Sequence, residues 1–290
     1  MPTSSPTQRP QDLVFTLFGE YLLDREGPTW VGALIDLLHP LGLSEGAVRT
    51  VLSRMARKDW LSTRKIGRHA FYDLTPRGRK LLEEGQARIF HPSWDGPWDE
   101  QWLLIAYSIP EDERQLRDRL RDRLAWLGFG SLGNGLWISP HDVEREVTEL
   151  SEQLDLEEHL ECFRATRISG APVEELVARC WDLKAVNAHY RAFIDQWTPV
   201  LDRAKAGNDA RITDEECYTL RFGLIHEFRA FPLEDPYLPR PLLPEGWMGE
   251  SATELFHALH DRLVGPADRY VDRILAETPG DISPTIREHH

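Results

Sequence analysis

Residues 44–79, SEGAVRTVLSRMARKDWLSTRKIGRHAFYDLTPRGR, decide the fold of the first part of the chain. In the first half of this segment, apolar residues recur at three- and four-residue spacing, the pattern of a helix with one buried face. The opposite face is polar and cationic, and Ser44 stands where an N-cap hydroxyl accepts a backbone N–H. We therefore predict an amphipathic helix with a cationic outer face.

A β-hairpin is predicted directly after this helix. Beyond Trp60 the apolar spacing changes from helical to extended, and Gly67 marks the turn between two short strands. The tip of the hairpin carries four side chains that can be cationic: Arg64, Lys65, Arg68 and His69. Upstream, residues 29–38 form a further apolar helix pattern, and Pro40 and Gly42 supply the turn that separates the two helices.

The order helix, turn, helix and hairpin is typical of a winged helix-turn-helix DNA-binding domain. Residues 44–80 contain 10 Lys and Arg against 3 Asp and Glu, whereas the whole chain has a net charge of −14. The cationic charge is therefore local, and the acidic remainder repels stray nucleic acid. The alternative is a solvated basic face without a partner, which the ordered succession of elements disfavours.

The predicted DNA-binding residues divide into two groups by role. Some project from the helix toward base edges or nearby phosphates: Ser44, Arg49, Thr50, Ser53 and Arg54. The others hold the phosphate backbone from the end of the helix and from the hairpin: Arg57, Lys58, Arg64, Lys65, Arg68 and His69. One such module binds weakly, so the sequence predicts a homodimer on a pseudo-palindromic double-stranded operator.

At 290 residues the chain is long enough for two or three domains. Its three cysteines are widely spaced and form no CxxC pair, so we predict neither a disulfide framework nor a structural zinc. No apolar run approaches the roughly 20 residues that span a bilayer, so a cytoplasmic protein without membrane contact is expected. No catalytic motif is present, and we predict no enzymatic activity, no cofactor and no metal site.

The predicted fold class is multidomain α+β. From Trp102 the order strand, helix, strand, helix, strand, with one strand unplaced, indicates a ferredoxin-like connector or dimerisation domain. The later chain is mainly helical. The predicted boundaries are a disordered lead at residues 1–10, a winged helix DNA-binding domain at 11–90, a linker at 91–101, the ferredoxin-like domain at 102–170, and a helical effector-response domain at 171–288.

Residues 221–249 carry the most unusual pattern, R-F-x-L-x-H-E-F-R-x-F-P-x-x-D-P-x-L-P-x-x-L-L-P-x-x-W-x-G. Together with the basic winged helix and the strand that ends in YSIP, this series resembles the PaaX family of bacterial repressors of phenylacetate catabolism. The resemblance covers nearly the whole chain. It implies a dimeric transcriptional repressor that leaves its operator when a CoA thioester, phenylacetyl-CoA in the best-known members, binds.

An acyl-CoA effector needs cations for its phosphates and an apolar aromatic slot for its acyl group. Residues of these types occur within the same series: Arg221, Phe222, His226, Phe228, Arg229 and Trp247. We predict them as effector-binding residues. The alternative is a structural ion-pair and packing cluster, with Glu227 and Asp235 as partners of the cations.

Two metal-based alternatives are weaker. The middle domain is similar to small CRISPR-associated nucleases of ferredoxin-like fold, but Ser108 stands where a metal-dependent nuclease or hydrolase needs an Asp ligand. His257 and His260 have a spacing compatible with metal binding, yet no third ligand is identifiable in the sequence. Both patterns favour a non-enzymatic protein, with the histidines at the surface or in packing.

Overall fold

The computed structural model describes residues 9–90, 98–206, 212–279 and 285–286. Most of the predicted disordered lead and of the predicted linker lies outside these residues. Within the described ends of those segments, Pro10 begins a helix and the Trp98 ring packs edge-on against Trp102 with 5.2 Å between ring centroids.

Helices make up most of the described chain. They are α1 Pro10–Leu17, α2 Val31–Leu38, α3 Glu45–Arg57, α4 Pro76–Phe90, α5 Arg114–Trp126, α6 Glu144–Leu154, α7 Val173–Cys180, α8 Leu183–Ala206, α9 Asp214–Phe228, α10 Phe231–Glu234 and α11 Gly249–Ala276. A π-helical segment, Phe18–Leu22, continues α1. Short 3-10 turns occupy His39–Leu41, Glu111–Glu113 and Arg240–Leu242.

The strands form three antiparallel sheets among the described residues. They are β1 Arg25–Glu26, β2 Thr29–Trp30, β3 Leu61–Ile66, β4 His69–Leu74, β5 Gln101–Tyr107, β6 Gly130–Gly133, β7 Leu136–Ser139, β8 Leu160–Thr166 and β9 Thr285–Ile286. The sheet orders are β1-β9, β2-β4-β3 and β6-β7-β5-β8. The multidomain α+β class predicted from the sequence is therefore confirmed at that level.

The chain divides into two compact units. Unit 1 takes its described residues from Met1–Phe90, Asp195–Arg229 and Glu254–His290, and unit 2 takes them from His91–Ile194 and Ala230–Thr253. The predicted three-domain division stays a prediction, and the helices of the predicted carboxy-terminal domain contribute to both units.

Unit 1 contains a large hydrophobic core. The apolar faces of α1, α2 and α3 meet there, because each helix repeats large aliphatic residues at helical spacing. Helices α9 and α11 add Tyr218, Phe222, Tyr270 and Val271 to the same core. The core to which α3 contributes its buried face thus takes residues from early and late parts of the chain.

Unit 2 contains the four-stranded sheet with β5 in its interior. Leu103 and Ile105 of β5 pack against buried leucines and a valine of α5 and α6 on one face. Trp102 and Ile138 lie in a second cluster with Val177 of α7. Strand β6, which the sequence did not place, completes the element order strand, helix, two strands, helix, strand.

From the sequence, the helix after the hairpin is expected to end at Gly85, but the structure extends it. It begins at Pro76, where the missing N–H costs no intrahelical bond, and it passes through Gly85 to Phe90.

Within the described residues, no single helix is both long and apolar enough to cross a bilayer, although the bent pair Val31–Leu41 and Glu45–Arg57 passes that test on length and composition.

Candidate nucleic-acid interface

Helix α3 forms where the sequence predicts it, from Glu45 to Arg57. The Ser44 hydroxyl accepts the backbone N–H of Ala47 at 3.3 Å, so the predicted N-cap is confirmed. Val48, Leu52 and Met55 are fully buried on the inner face. Burial of this apolar face fixes the rotation of α3 about its own axis. That rotation determines which of its side chains face solvent.

The outer face of α3 carries all of the helical residues predicted to bind DNA. The exposed set is Ser44, Arg49, Thr50, Ser53, Arg54, Arg57 and Lys58. Arg49 pairs with Glu45 at 2.8 Å, and the Thr50 hydroxyl donates to the Gly46 carbonyl at 2.8 Å. In the described part of the chain, Arg54, Arg57 and Lys58 form no ion pair, so these cations are available to a partner.

The predicted hairpin is also present, with β3 and β4 paired from Leu61 opposite Leu74 to Ile66 opposite His69. Gly67 makes the turn with a φ of 59°, which favours glycine. Arg64, Lys65 and Arg68 are exposed. The fourth predicted residue, His69, is half-buried, because its ring packs edge-on against Trp30 with 5.9 Å between ring centroids.

The base of the hairpin is joined firmly to the end of α3. The Thr75 hydroxyl donates to the Asp59 carbonyl at 2.7 Å and accepts the Gly78 N–H at 3.0 Å. The Arg77 guanidinium lies 4.3 Å from the centroid of the Trp60 ring. Sequence reasoning did not single out Arg77, since a contact across the hairpin base leaves no periodic signal.

Arg221, the first predicted effector-binding residue, is buried in an ion-pair cluster of unit 1. Its side chain is 7% exposed and pairs with Glu20 and, at 2.8 Å, with Asp268. Its Nε donates to His260 Nε2 at 3.4 Å. The alternative of a structural ion pair therefore describes the surroundings of Arg221, with Glu20 and Asp268 as its partners instead of the predicted Glu227 and Asp235.

The other predicted effector residues of unit 1 lie along the same helix, α9, and just beyond its end. Phe222 is buried, and the Phe228 ring stacks on Phe256 with 4.1 Å between centroids. His226 Nδ1 lies 2.9 Å from the Thr16 hydroxyl, and burial, aided by Arg229, lowers the pKa of His226 to about 4. Arg229 lies 3.8 Å from Asp12 and is 29% exposed.

Trp247, the last predicted effector residue, belongs to unit 2. Its ring meets Tyr190 edge-on, with 5.6 Å between centroids. The Tyr190 hydroxyl donates to Asp235 at 2.8 Å in a buried contact, which joins the proline-rich stretch to α8. The predicted effector set is thus divided between the two units, and its role stays a prediction.

Unit 2 contains a cavity of about 460 Å³. Trp181, Leu183 and Val186 form its apolar wall. Asp182 and Glu234 also line it, and Glu234 pairs with His189 at 2.8 Å. This acidic lining is unfavourable for the phosphates of a CoA thioester.

The metal alternatives find no support in the described residues. Ser108 follows β5, and its backbone N–H donates to the His159 backbone carbonyl at 2.9 Å. His260 contacts Glu20 at 3.1 Å and Arg221, and no group of three His, Cys, Asp or Glu side chains within the described ranges is arranged to hold a metal ion.

The fold and this surface define a multidomain α+β protein that presents a cationic helix and hairpin on an otherwise acidic chain. Three family models match it: "PaaX-like protein" at residues 9–78, "PaaX protein central Cas2-like domain" at residues 95–177, and "PaaX-like protein C-terminal domain" at residues 181–273. The chain belongs to the PaaX family.

Known proteins agree with this assignment. "Transcriptional repressor PaaX" of Escherichia coli (strain K12) is 34% identical over an alignment of 265 positions that covers 89% of this chain and 82% of that protein. The relative is a regulator and not an enzyme. "Uncharacterized protein Rv0674 from Mycobacterium tuberculosis" has a similar fold, with a TM-score of 0.50 and 23% identity over 83% of this chain and 89% of that one.

Proposed function

We propose that the protein is a DNA-binding transcriptional repressor whose α3 and β3–β4 hairpin form a winged helix-turn-helix. The observation that carries this proposal is the outer face of α3, where Arg54, Arg57 and Lys58 are exposed and form no ion pair within the described chain. Membership of a family with a repressor among its members supports the same function.

In this proposal α3 enters the major groove and the hairpin follows the adjacent backbone. Thr50, Ser53 and Arg54 face base edges, where bidentate contacts from arginine to guanine discriminate between sequences. Arg49 reaches the same groove once its exposed pair with Glu45 opens, which costs little at the surface. The cations of the hairpin tip neutralise phosphates and set the register of the helix.

A repressor of this kind acts as a homodimer. Two copies place two α3 helices on successive major-groove faces, which requires a pseudo-palindromic operator with half-sites about one helical turn, 34–36 Å, or a multiple of it apart. The element order of β5 to β8 and the family description of a Cas2-like central domain support a ferredoxin-like domain as the connector between the copies.

The effector of the proposed repressor is an aryl-acyl-CoA such as phenylacetyl-CoA, and the regulated genes are those of a phenylacetate-type operon. Family membership supports this ligand class. Within the predicted set we assign phosphate binding to Arg229 rather than Arg221, since Arg229 is partly exposed while the donors of Arg221 are held by Glu20 and Asp268.

Selection of duplex DNA from a random-sequence pool by the full chain tests the first part of the proposal. We expect a pseudo-palindromic sequence bound with a Kd of about 10⁻⁸ M or lower at physiological salt, the range typical of specific regulators. Failure to enrich any sequence would remove the DNA-binding function.

The effector part is tested on the selected duplex with phenylacetyl-CoA, free phenylacetate and CoA in parallel. Phenylacetyl-CoA should weaken binding at least tenfold, and the two fragments should not. At 100 times its Kd, the effector should also stabilise the free protein by about 2.7 kcal/mol in thermal unfolding. If the protein binds DNA specifically and no CoA thioester weakens that binding, the DNA-binding function stands and the proposed effector class is ruled out.

A further inference from the structure

The hydrophobic core behind α3 is completed by helices from the far end of the chain. Tyr218 and Phe222 of α9 are buried among residues of α1 and α2. From α11, five further residues join the same cluster: Ala267, Tyr270, Val271, Ile274 and Leu275. The surface predicted to bind DNA therefore rests on a scaffold that α9 and α11 help to build.

Arg221 of α9 is the centre of the polar contacts in this scaffold. Its guanidinium pairs with Glu20, whose side chain is 5% exposed, and with Asp268 of α11 at 2.8 Å. It also lies 4.8 Å from the centroid of the Tyr21 ring. The two ion pairs of Arg221 therefore join α9 to the π-helical segment after α1 through Glu20 and to α11 through Asp268.

Tyr218, one turn earlier on α9, reaches the helix directly before α3. Its hydroxyl donates to the Leu37 carbonyl at 2.7 Å, in the last turn of α2. Its ring contacts the rings of Tyr21 and Tyr270, with centroid distances of 5.2 and 5.0 Å. A carbonyl near a helix C-terminus lacks an intrahelical partner, so this hydroxyl also caps α2.

The contacts of α9 and α11 converge on the segment that supports α3 from behind. Arg25 donates to the Tyr21 carbonyl at 2.9 Å and pairs with Asp272 of α11 at 2.7 Å. Glu20 and Tyr21 lie in the π-helical segment Phe18–Leu22, and such segments occur frequently at functional sites. Helix α1, which this segment continues, and helix α2 carry the apolar residues against which α3 packs.

A displacement of α9 cannot be absorbed locally by such a core. Protein interiors are close-packed, so tightly packed helices move together or change to a second arrangement. The buried charges of Glu20 and Arg221 add a further restraint, since separating them leaves an uncompensated charge in the interior. Movement of α9 is therefore passed to α2 and to α3.

From these contacts we infer that α9 couples the carboxy-terminal helices to the recognition surface, with Arg221 and Tyr218 as positioning residues that set the geometry of α3 without touching DNA. The inference rests on the proposed DNA-binding function. It assigns Arg221 a role in operator affinity that differs from contact with an effector.

Four variants of the full chain test this coupling on the selected duplex. R221K keeps the charge but loses the planar guanidinium, and Y218F keeps the ring but loses the bond to Leu37. E20Q/R221M removes both buried charges together and avoids a lone one. The matched control is R269M, since Arg269 is exposed and pairs with Asp214 at 2.8 Å between α11 and α9 only.

We expect R221K, Y218F and E20Q/R221M to weaken operator binding about tenfold per folded molecule, within the range measured for coupled positions. The dependence of log Kd on log salt should keep its wild-type slope, because the phosphate contacts are unchanged. R269M should bind as wild type. If a variant is partly unfolded, its active fraction is measured by stoichiometric titration and its Kd is corrected for that fraction. If both Arg221 variants fail to fold, the affinity of Y218F alone tests the coupling.

Hydrogen exchange supplies a readout that is independent of DNA. Amides of α2 and α3 should exchange faster in R221K and Y218F than in R269M, while those of β5 keep their wild-type rates. Wild-type affinity in folded R221K and Y218F, or an equal loss in R269M, would overturn the coupling. If the wild-type chain selects no DNA, the proposed DNA-binding function is refuted. Unchanged hydrogen exchange of α2 and α3 in R221K and Y218F would separately refute the coupling.

Discussion

Arg54 and Arg221 show how surroundings decide the role of one residue type. Arg54 is exposed on α3 without an ion pair in the described chain, so its five N–H donors can meet a base or a phosphate. Arg221 is 7% exposed and pairs with two carboxylates. The first arrangement suits a ligand from solvent, and the second suits internal positioning.

His226 makes a pH-dependent contribution to stability. The Thr16 hydroxyl donates to the Asp12 carbonyl at 3.0 Å, so it accepts a hydrogen bond from His226 Nδ1, which carries a proton in this arrangement. Burial lowers the pKa of His226 to about 4 in the folded state, from an ordinary value of 6.5. The unfolded chain therefore takes up the proton first as the pH falls below 6.5, and stability is lost between pH 6.5 and 4.

The H226N variant should remove this dependence while its amide still donates to Thr16. Between pH 7 and pH 5, the free energy of unfolding of the wild type should fall by about 1–2 kcal/mol more than that of H226N. Urea unfolding at the two pH values measures the difference. Parallel pH profiles for the two proteins would show that His226 is not the titrating group.

Helix α4 shows a tertiary constraint on a single glycine. A Cβ at Gly78 would lie 2.2 Å from the Trp60 carbonyl oxygen, whereas a Cβ at Gly85 of the same helix would meet nothing within 4 Å. G78A should therefore lower the free energy of unfolding by about 1–3 kcal/mol through overpacking. G85A should raise it by about 0.5–1 kcal/mol, since alanine is the better helix former.

Denaturant unfolding of both variants gives the comparison. A stabilised G78A would mean that α4 does not pack tightly against the Trp60 carbonyl. The control separates this contact from helix propensity, because both substitutions change propensity in the same direction.

Local elements were predictable because their signals are local. The period of Val48, Val51 and Leu52 defines α3, and Gly67 defines the hairpin turn. Strand β6 was missed because GSLG carries neither an apolar alternation nor β-branched residues. The half-burial of His69 was missed because Trp30 reaches it from another strand.

At the scale of the molecule, long-range partners could not be predicted. Glu20 and Arg221 are far apart in the chain, and nothing in the residues between them signals the pair. The buried hydrogen bond from the Tyr190 hydroxyl to Asp235 joins α8 to the proline-rich stretch, and no local pattern indicates it. These side-chain pairings depend on how the helices pack together. No short-range pattern in a single sequence encodes that packing.

We predict that the amino-terminal segment of unit 1 does not fold on its own. Met1–Phe90 lacks the aromatic residues of α9 and α11 that complete its core, so a fragment of those residues would expose α1 and α2 to water. We expect the fragment to show no cooperative thermal transition and poor dispersion of its amide signals. A cooperative transition near that of the full chain would mean that the core closes without α9 and α11.

The central claim is that the cationic face of α3 and the hairpin tip binds DNA phosphates and bases. The most direct measurement is the Kd of the selected duplex as a function of salt for wild type, R64A/K65A and R203A, where Arg203 is a control cation on α8 paired with Glu216. R64A/K65A should reduce the slope of log Kd against log salt by about 2, one for each lost phosphate contact, and R203A should leave it unchanged. Equal slopes and equal affinities in all three proteins would contradict the account.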